Sequence, residues 1–196
     1  MFKRGFKTAC ERLALEKRAQ LGVQSTDPID PRALAAKLGI RVLTPHDVPG
    51  VSAKCLRTLL DDDPDSWSAV TLRLGAHGDL IIVNSSHSVA RQASDVVHEL
   101  AHVLLAHNPT RIDVAADQQL LLRTHDPQQE DEAAWLAGCL LLPRPALLLI
   151  ARDAGVRADA ARRYGVSVEM LTYRLRVTGV EVQARRGTRW GSRRAG

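Results

Sequence analysis

The run Val96-Val97-His98-Glu99-Leu100-Ala101-His102-Val103-Leu104-Leu105 sets two histidines four residues apart, with a glutamate directly after the first. Positions i and i+4 of an α-helix share a face, so this spacing predicts two imidazoles one turn apart and pointing the same way. Two such rings can hold one Zn²⁺ at about 2.0–2.1 Å each. Glu99 falls one step round the helix, where it can take a proton from a metal-held water without being a ligand. The chemistry that the pattern serves is metal-assisted hydrolysis, with a carboxylate as general base. The surrounding residues are almost wholly apolar, so polar side chains packed among them need partners for every polar atom. A metal meets that need at once. The donor types favour zinc, one ion, although manganese or iron can use the same set.

A hydrolytic zinc site takes three protein ligands and leaves one position open. A third histidine six residues after His102 is excluded, because Asn108 stands there and Leu105 stands where that scheme requires glycine. The other scheme draws a glutamate from a later helix. Residues 128–143, Gln-Gln-Glu-Asp-Glu-Ala-Ala-Trp-Leu-Ala-Gly-Cys-Leu-Leu-Leu-Pro, read as a helix with an acidic first turn. Glu132 opens the apolar stripe that continues through Leu136 and Leu140, so it is the acid expected to face inward as third ligand. Glu130 and Asp131 are expected on the surface, complementing the helix dipole.

These two helices resemble the ImmA/IrrE family of metallo-endopeptidases. The matching positions are Asn84, Arg91, His98, Glu99 and His102, followed by Glu132, Ala133, Ala137, Leu140, Leu141 and Pro143. The resemblance runs, in order of elements, over residues 28–180. Ala134, Leu136, Leu142 and Ser94 depart from the family pattern, and none of these positions is a ligand or the base. The resemblance implies His98, His102 and Glu132 as metal ligands, Glu99 as catalytic base, and supporting places around the site for Asn84 and Arg91. It also implies an intracellular protease that cuts one site in a helix-turn-helix transcriptional repressor.

The elements that must position these residues can be read in turn. Residues 3–21 predict an amphipathic helix with a solvated basic face, stopped by Gly22. Asp30-Pro31 starts a second helix that Gly39 ends, and residues 40–43 read as a short strand. Residues 44–66 read as loops around a short helix near 51–60. Their acidic group (Asp61, Asp62, Asp63, Asp65) lacks the alternation of a calcium loop and reads as a solvated turn. Alternation over 67–74, a turn at 75–78 and the run 80–83 predict a hairpin able to receive an extended peptide by strand addition. Ser86 or Ser88 then caps the helix of the His-Glu-x-x-His motif, which ends near His107. Residues 159–164 and 167–175 read as a helix-turn-helix, expected to pack on the body of the protein with Arg174 and Arg176 in water.

The expected architecture is α+β: a mostly helical, zincin-like domain with a small antiparallel sheet and a C-terminal helix-turn-helix-like appendage. Its divisions are residues 1–27, an N-terminal helix; 28–150, the peptidase domain; 151–182, the helical subdomain; and 183–196, a basic disordered tail. A chain of 196 residues, 45% hydrophobic and 25% charged, can bury a real core. Its net charge of +5 resides in five arginines after residue 184, so the remainder is neutral. Cys10, Cys55 and Cys139 are odd in number and form no Cys-x-x-Cys pair, which fits reduced thiols in a cytoplasmic protein. No secretory leader is legible at the start, and Pro143, Arg144 and Pro145 interrupt the Leu-rich run at 140–150, which excludes a membrane span there.

Two function classes follow. The first is a zinc endopeptidase; its oxyanion could be met by His107, His125, Tyr164 or Tyr173, among which sequence does not choose. The second is a non-proteolytic metal-binding regulator that contacts DNA or a repressor through the C-terminal helices and the arginine tail. The remaining histidines, His46, His77, His87 and His125, read as surface or loop residues with no second metal spacing.

Overall fold

A computed structural model describes residues 1–73, 78–107, 111–114, 120–123, 126–153 and 155–192, with side chains for all of these except 111–114, 120–123 and 187–192. The helices are α1 (Phe6–Gln20), α2 (Pro31–Lys37), α3 (Ala53–Arg57), α4 (Val89–Leu104), α5 (Pro127–Leu141), α6 (Arg144–Arg152), α7 (Arg157–Arg163), α8 (Val168–Thr178) and α9 (Val180–Ser192). The strands are β1 (Arg41–Leu43), β2 (Ala69–Arg73), β3 (Asp79–Val83), β4 (Arg111–Val114) and β5 (Leu120–Arg123). Helices dominate and strands form small sheets, so the chain is α+β.

The sheet departs from expectation in one respect. Its order is β1-β3-β2, with β2 antiparallel to β3 but β1 parallel to β3, in register Arg41–Leu80 to Leu43–Ile82. The sheet is therefore mixed: the chain returns to β1 from the same direction after the β2–β3 excursion. Ile81 and Val83 are fully buried on its inner side. A second pair, β4–β5, is antiparallel, from Arg111–Arg123 to Val114–Leu120, and was not foreseen in the sequence.

The centre is the packing of α4 on α5. Val96, Val97, Leu100 and Ala101 of α4 and Ala133, Leu136, Ala137 and Leu140 of α5 are buried in one cluster. Each fully buried leucine contributes about 1.5–3 kcal/mol through loss of water contact. The helices begin where local chemistry says they should: Ser88 Oγ accepts from Arg91 N (3.3 Å), and Asp126 Oδ1 accepts from Gln128 N (2.9 Å) ahead of Pro127.

The ends of the chain join the same core. Cys10 and Ala14 of α1, and Leu171 and Leu175 of α8, lie in the cluster that holds α4 and α5. Two arginines lie inside, one of which, Arg174, was expected in water. Arg174 is 1% exposed; its Nη2 donates to Glu11 Oε1 (2.9 Å) and to Leu142 O (3.2 Å), and its guanidinium lies over Trp135. Glu11 in turn accepts from the Arg144 backbone N–H (2.9 Å), so one carboxylate ties α1, α6 and α8. Arg18 is equally buried and donates to Leu141 O (3.3 Å), and burial brings its guanidinium down to about 10. Arg176 is exposed, as anticipated. Residues 180–192 form α9 in place of the expected unstructured tail; 193–196 lie outside the described residues. Among the described residues, no single helix is long and apolar enough to cross a membrane.

Candidate metal centre

α4 presents His98 and His102 on one face, as the spacing requires, with their Nε2 atoms 3.1 Å apart. The carboxylate that meets them comes from the first turn of α5, and it is Glu130: Oε2 lies 3.1 Å from His98 Nε2 and Oε1 lies 3.5 Å from His102 Nε2. Among the described residues, His98, His102 and Glu130 are the group of three whose ligand atoms come together, all within 4.8 Å. A tetrahedral ion with legs of 2.0–2.1 Å separates its ligand atoms by about 3.3–3.4 Å. The ring-to-ring separation of 3.1 Å is close to that edge length, and each ring has one oxygen of Glu130 at 3.1 or 3.5 Å. Two imidazole nitrogens and a carboxylate facing one point at such spacing fit a divalent metal in donor type as well as in size.

Glu132 takes a different place from the one expected. Its Oε2 lies 3.4 Å from His107 Nε2, and its Oε1 accepts from Gln128 Nε2 at 2.9 Å. The physical reason is the burial of α5. From Ala133 to Leu141 all residues but Ala134 are buried, so the stripe through Leu136 and Leu140 is no more inward than the one through Ala133 and Ala137. The latter stripe leads back to Glu130. Periodicity in a helix buried nearly all round does not choose between two acids two residues apart.

Glu99 is held from the sheet. Thr71 Oγ1, on β2, donates to Glu99 Oε2 at 2.5 Å. Burial pushes the Glu99 carboxyl above the usual carboxylate range, and the Thr71 hydrogen bond and the His98 charge pull against it. Burial likewise holds His102 below the usual imidazole range, helped by the neighbouring His98. A neutral ring keeps a lone pair free for a metal. No sequence signal pointed to Thr71, because the contact joins residues 28 positions apart.

His107 is set by the end of α4. The His107 N–H bonds to His102 O and the Ala106 N–H to Val103 O, each at 3.0 Å, with Ala106 at φ +53°. That is a Schellman turn with alanine where glycine is favoured. It folds His107 back so that its Nδ1 lies 3.0 Å from His102 Nδ1, and Arg73 Nη2 from β2 donates to His107 O at 3.3 Å.

The remaining predicted residues lie elsewhere. Asn84 is fully buried; its Nδ2 donates to Pro64 O (2.7 Å) and Trp67 O (3.1 Å), and its Oδ1 accepts from Ser86 Oγ (2.6 Å). Arg91 pairs with Asp65 at 2.9 Å. Both fasten the 64–68 segment that leads into β2 and thus bear on Thr71 without touching the histidine pair. His87 is in a loop but buried, against Asp95 and Pro64 O. Of the four oxyanion candidates, only His107 stands at the site among the described residues. Tyr164 is buried with its hydroxyl donating to Thr26 O, and Tyr173 is exposed on α8. His46 is exposed; His77 and His125 lie outside the described residues.

Two histidines from one helical turn, a carboxylate from the next long helix and a half-buried glutamate beside them have the form of a metallopeptidase centre. Residues 35–176 match the family model of the IrrE N-terminal-like domain, peptidase family M78, and the chain belongs to that family. No curated protein matches it. Among solved structures, a Mycobacterium tuberculosis transcriptional regulator is similar with a TM-score of 0.49 and 20% identity, over 88% of this chain and 47% of that one. The chain thus spans about half the length of that regulator.

Proposed function

We propose that the chain is a zinc-dependent endopeptidase whose ligands are His98, His102 and Glu130 and whose general base is Glu99. The observation that carries this reading is the meeting of His98, His102 and Glu130 from α4 and α5, their ligand atoms within 4.8 Å of one another, beside the half-buried carboxylate of Glu99. A bound zinc ion would polarise the scissile carbonyl and bring water ionisation near pH 7. The residues of the chain do the rest. Thr71 fixes one oxygen of Glu99, so the carboxylate stays beside the histidine pair, one step round the helix from His98. The raised affinity of Glu99 for a proton suits a group that accepts one from attacking water and returns it to the leaving amine. β2, an edge strand of its sheet, lies beside this point and offers backbone to an extended peptide.

The substrate we infer is a protein, and the resemblance to the ImmA/IrrE endopeptidases points to a helix-turn-helix transcriptional repressor. The test is cleavage of candidate repressors by purified protein, followed by intact-mass measurement, alongside metal analysis. Wild type is expected to carry one zinc per chain and to yield two fragments. Glu99→Gln is expected to keep the zinc and lose about 10²–10⁴-fold in rate. A Glu99→Gln protein that cuts at the wild-type rate refutes the assignment. Salt-sensitive DNA binding without any cleavage would favour the regulator reading instead.

A further inference from the structure

Behind the histidine pair, a second row of side chains faces away from the metal point. His102 Nδ1, the nitrogen opposite the one aimed at His98 and Glu130, lies 3.0 Å from His107 Nδ1. His107 Nε2 lies 3.4 Å from Glu132 Oε2, and Gln128 Nε2 holds the other oxygen of Glu132. His107 is 8% exposed, so water does not substitute for these partners. The row is assembled from three places: the strained turn at Ala106, the β2 arginine on His107 O, and the first two turns of α5. Nothing in the ligand set itself requires a third histidine and a second glutamate here.

We propose that Glu132 and His107 are positioning residues that fix the ring of His102 in the tautomer able to bind metal. Two Nδ1 atoms facing each other at hydrogen-bond distance need one proton between them, and the side on which it sits decides the site. Glu132 is acceptor-only when ionised, so it draws the His107 proton to Nε2. His107 Nδ1 is then a lone pair, which His102 meets by carrying its own proton on Nδ1. His102 Nε2 is left bare, facing His98 and Glu130. Without Glu132, the His107 proton can move to Nδ1, His102 must accept there, and its own proton moves to Nε2 and blocks the metal. A single carboxylate thus sets the state of two rings. Outer partners of a ligating histidine act in this way generally, and their loss costs 10–100-fold in metal affinity.

This inference rests on the metal site proposed above, and the two fail differently. The measurement is zinc affinity by competition with a chromogenic chelator, with thermal unfolding of the metal-free protein beside it. Glu132→Ala and His107→Phe are each expected to weaken zinc 10–100-fold while the metal-free protein melts within a few degrees of wild type. The isosteric Glu132→Gln, which keeps the volume and one acceptor, is expected to fall between wild type and Glu132→Ala and serves if alanine disrupts folding. The double variant is expected to be no weaker than His107→Phe alone, because Glu132 acts only through that ring. Affinities within twofold of wild type in both single variants, or losses that multiply in the double variant, overturn the relay. So does Glu132→Ala abolishing binding as completely as Glu130→Ala, which would make Glu132 a ligand. A wild type that binds no zinc, or a Glu130→Ala protein that binds it normally, defeats the metal site itself.

Discussion

Gly138 of α5 and Arg174 of α8 meet with no room for a side chain between them: a Cβ at position 138 would lie 2.9 Å from Arg174 Cδ and 3.2 Å from its Nε. The arginine cannot give way at low cost, because Glu11 and the Leu142 carbonyl hold its far end and Trp135 lies against its face. Gly138→Ala is therefore expected to destabilise the fold by about 1–3 kcal/mol, the range for overpacking a core. Urea unfolding checks it. A helix interior normally gains from this substitution, so a neutral or stabilising result would show that Arg174 is loosely held.

Ala106 bears the opposite strain. Its φ of +53° is left-handed backbone that costs a residue with a Cβ about 1–2 kcal/mol. Ala106→Gly is expected to raise stability by about 0.5–1 kcal/mol, less than the full strain because glycine gains freedom in the unfolded chain. The rise is read as a higher melting temperature with the Schellman turn retained.

The three thiols separate by environment. Burial pushes the Cys10 thiol up to about 12 and raises Cys139 further, while Cys55 is exposed. Iodoacetamide at pH 8.5 is expected to label Cys55 alone in the native protein and all three after denaturation, read by peptide mass mapping. The same shift has a stability consequence. A thiol whose native pKa lies above its unfolded value of 9.0 leaves the folded state holding more protons than the unfolded one above that pH. Stability is therefore unaffected below pH 9 and falls as pH rises from 9 toward 12. A Cys10→Ala variant is expected to show a shallower fall between pH 9 and 10 than wild type, the loss of the Arg18 proton near 10 being common to both proteins and cancelling in the comparison.

Thr71 bonds Glu99, the proposed base, and none of His98, His102 and Glu130, the proposed ligands. Thr71→Val keeps the shape and removes the hydroxyl, so zinc affinity is expected to remain at the wild-type level. The cleavage rate is expected to drop about tenfold, equivalent to about 1.4 kcal/mol, just below the 1.5–3 kcal/mol scale of hydrogen bonds to charged groups. Chelator competition and initial rates separate the two effects.

Local chemistry in the chain was enough to locate most of this. His98, Glu99 and His102 share a helix because a period of 3.6 leaves no other choice, and Ser88 and Asp126 start α4 and α5 where capping requires. What escaped was decided between elements. Glu130 and Glu132 are both compatible with an inward face on a helix buried nearly all round, and only the turn that brings α5 against α4 chooses. Arg174 looked solvated because its partner, Glu11, lies 163 residues away. The parallel pairing of β1 with β3 leaves no mark in either strand. His107 was visible as a candidate, but its place behind His102 depends on an alanine adopting a backbone state that its type disfavours.

Glu11 joins the first helix, the start of α6 and the guanidinium of α8 at one spot, directly under the helix that delivers Glu130 and Glu132. Shortened forms of this chain that start beyond α1 or stop before α8 would therefore break into the floor beneath the candidate metal centre. Anyone trimming the protein to a minimal soluble piece should retain both termini through residue 184, where Ala184 closes the buried layer.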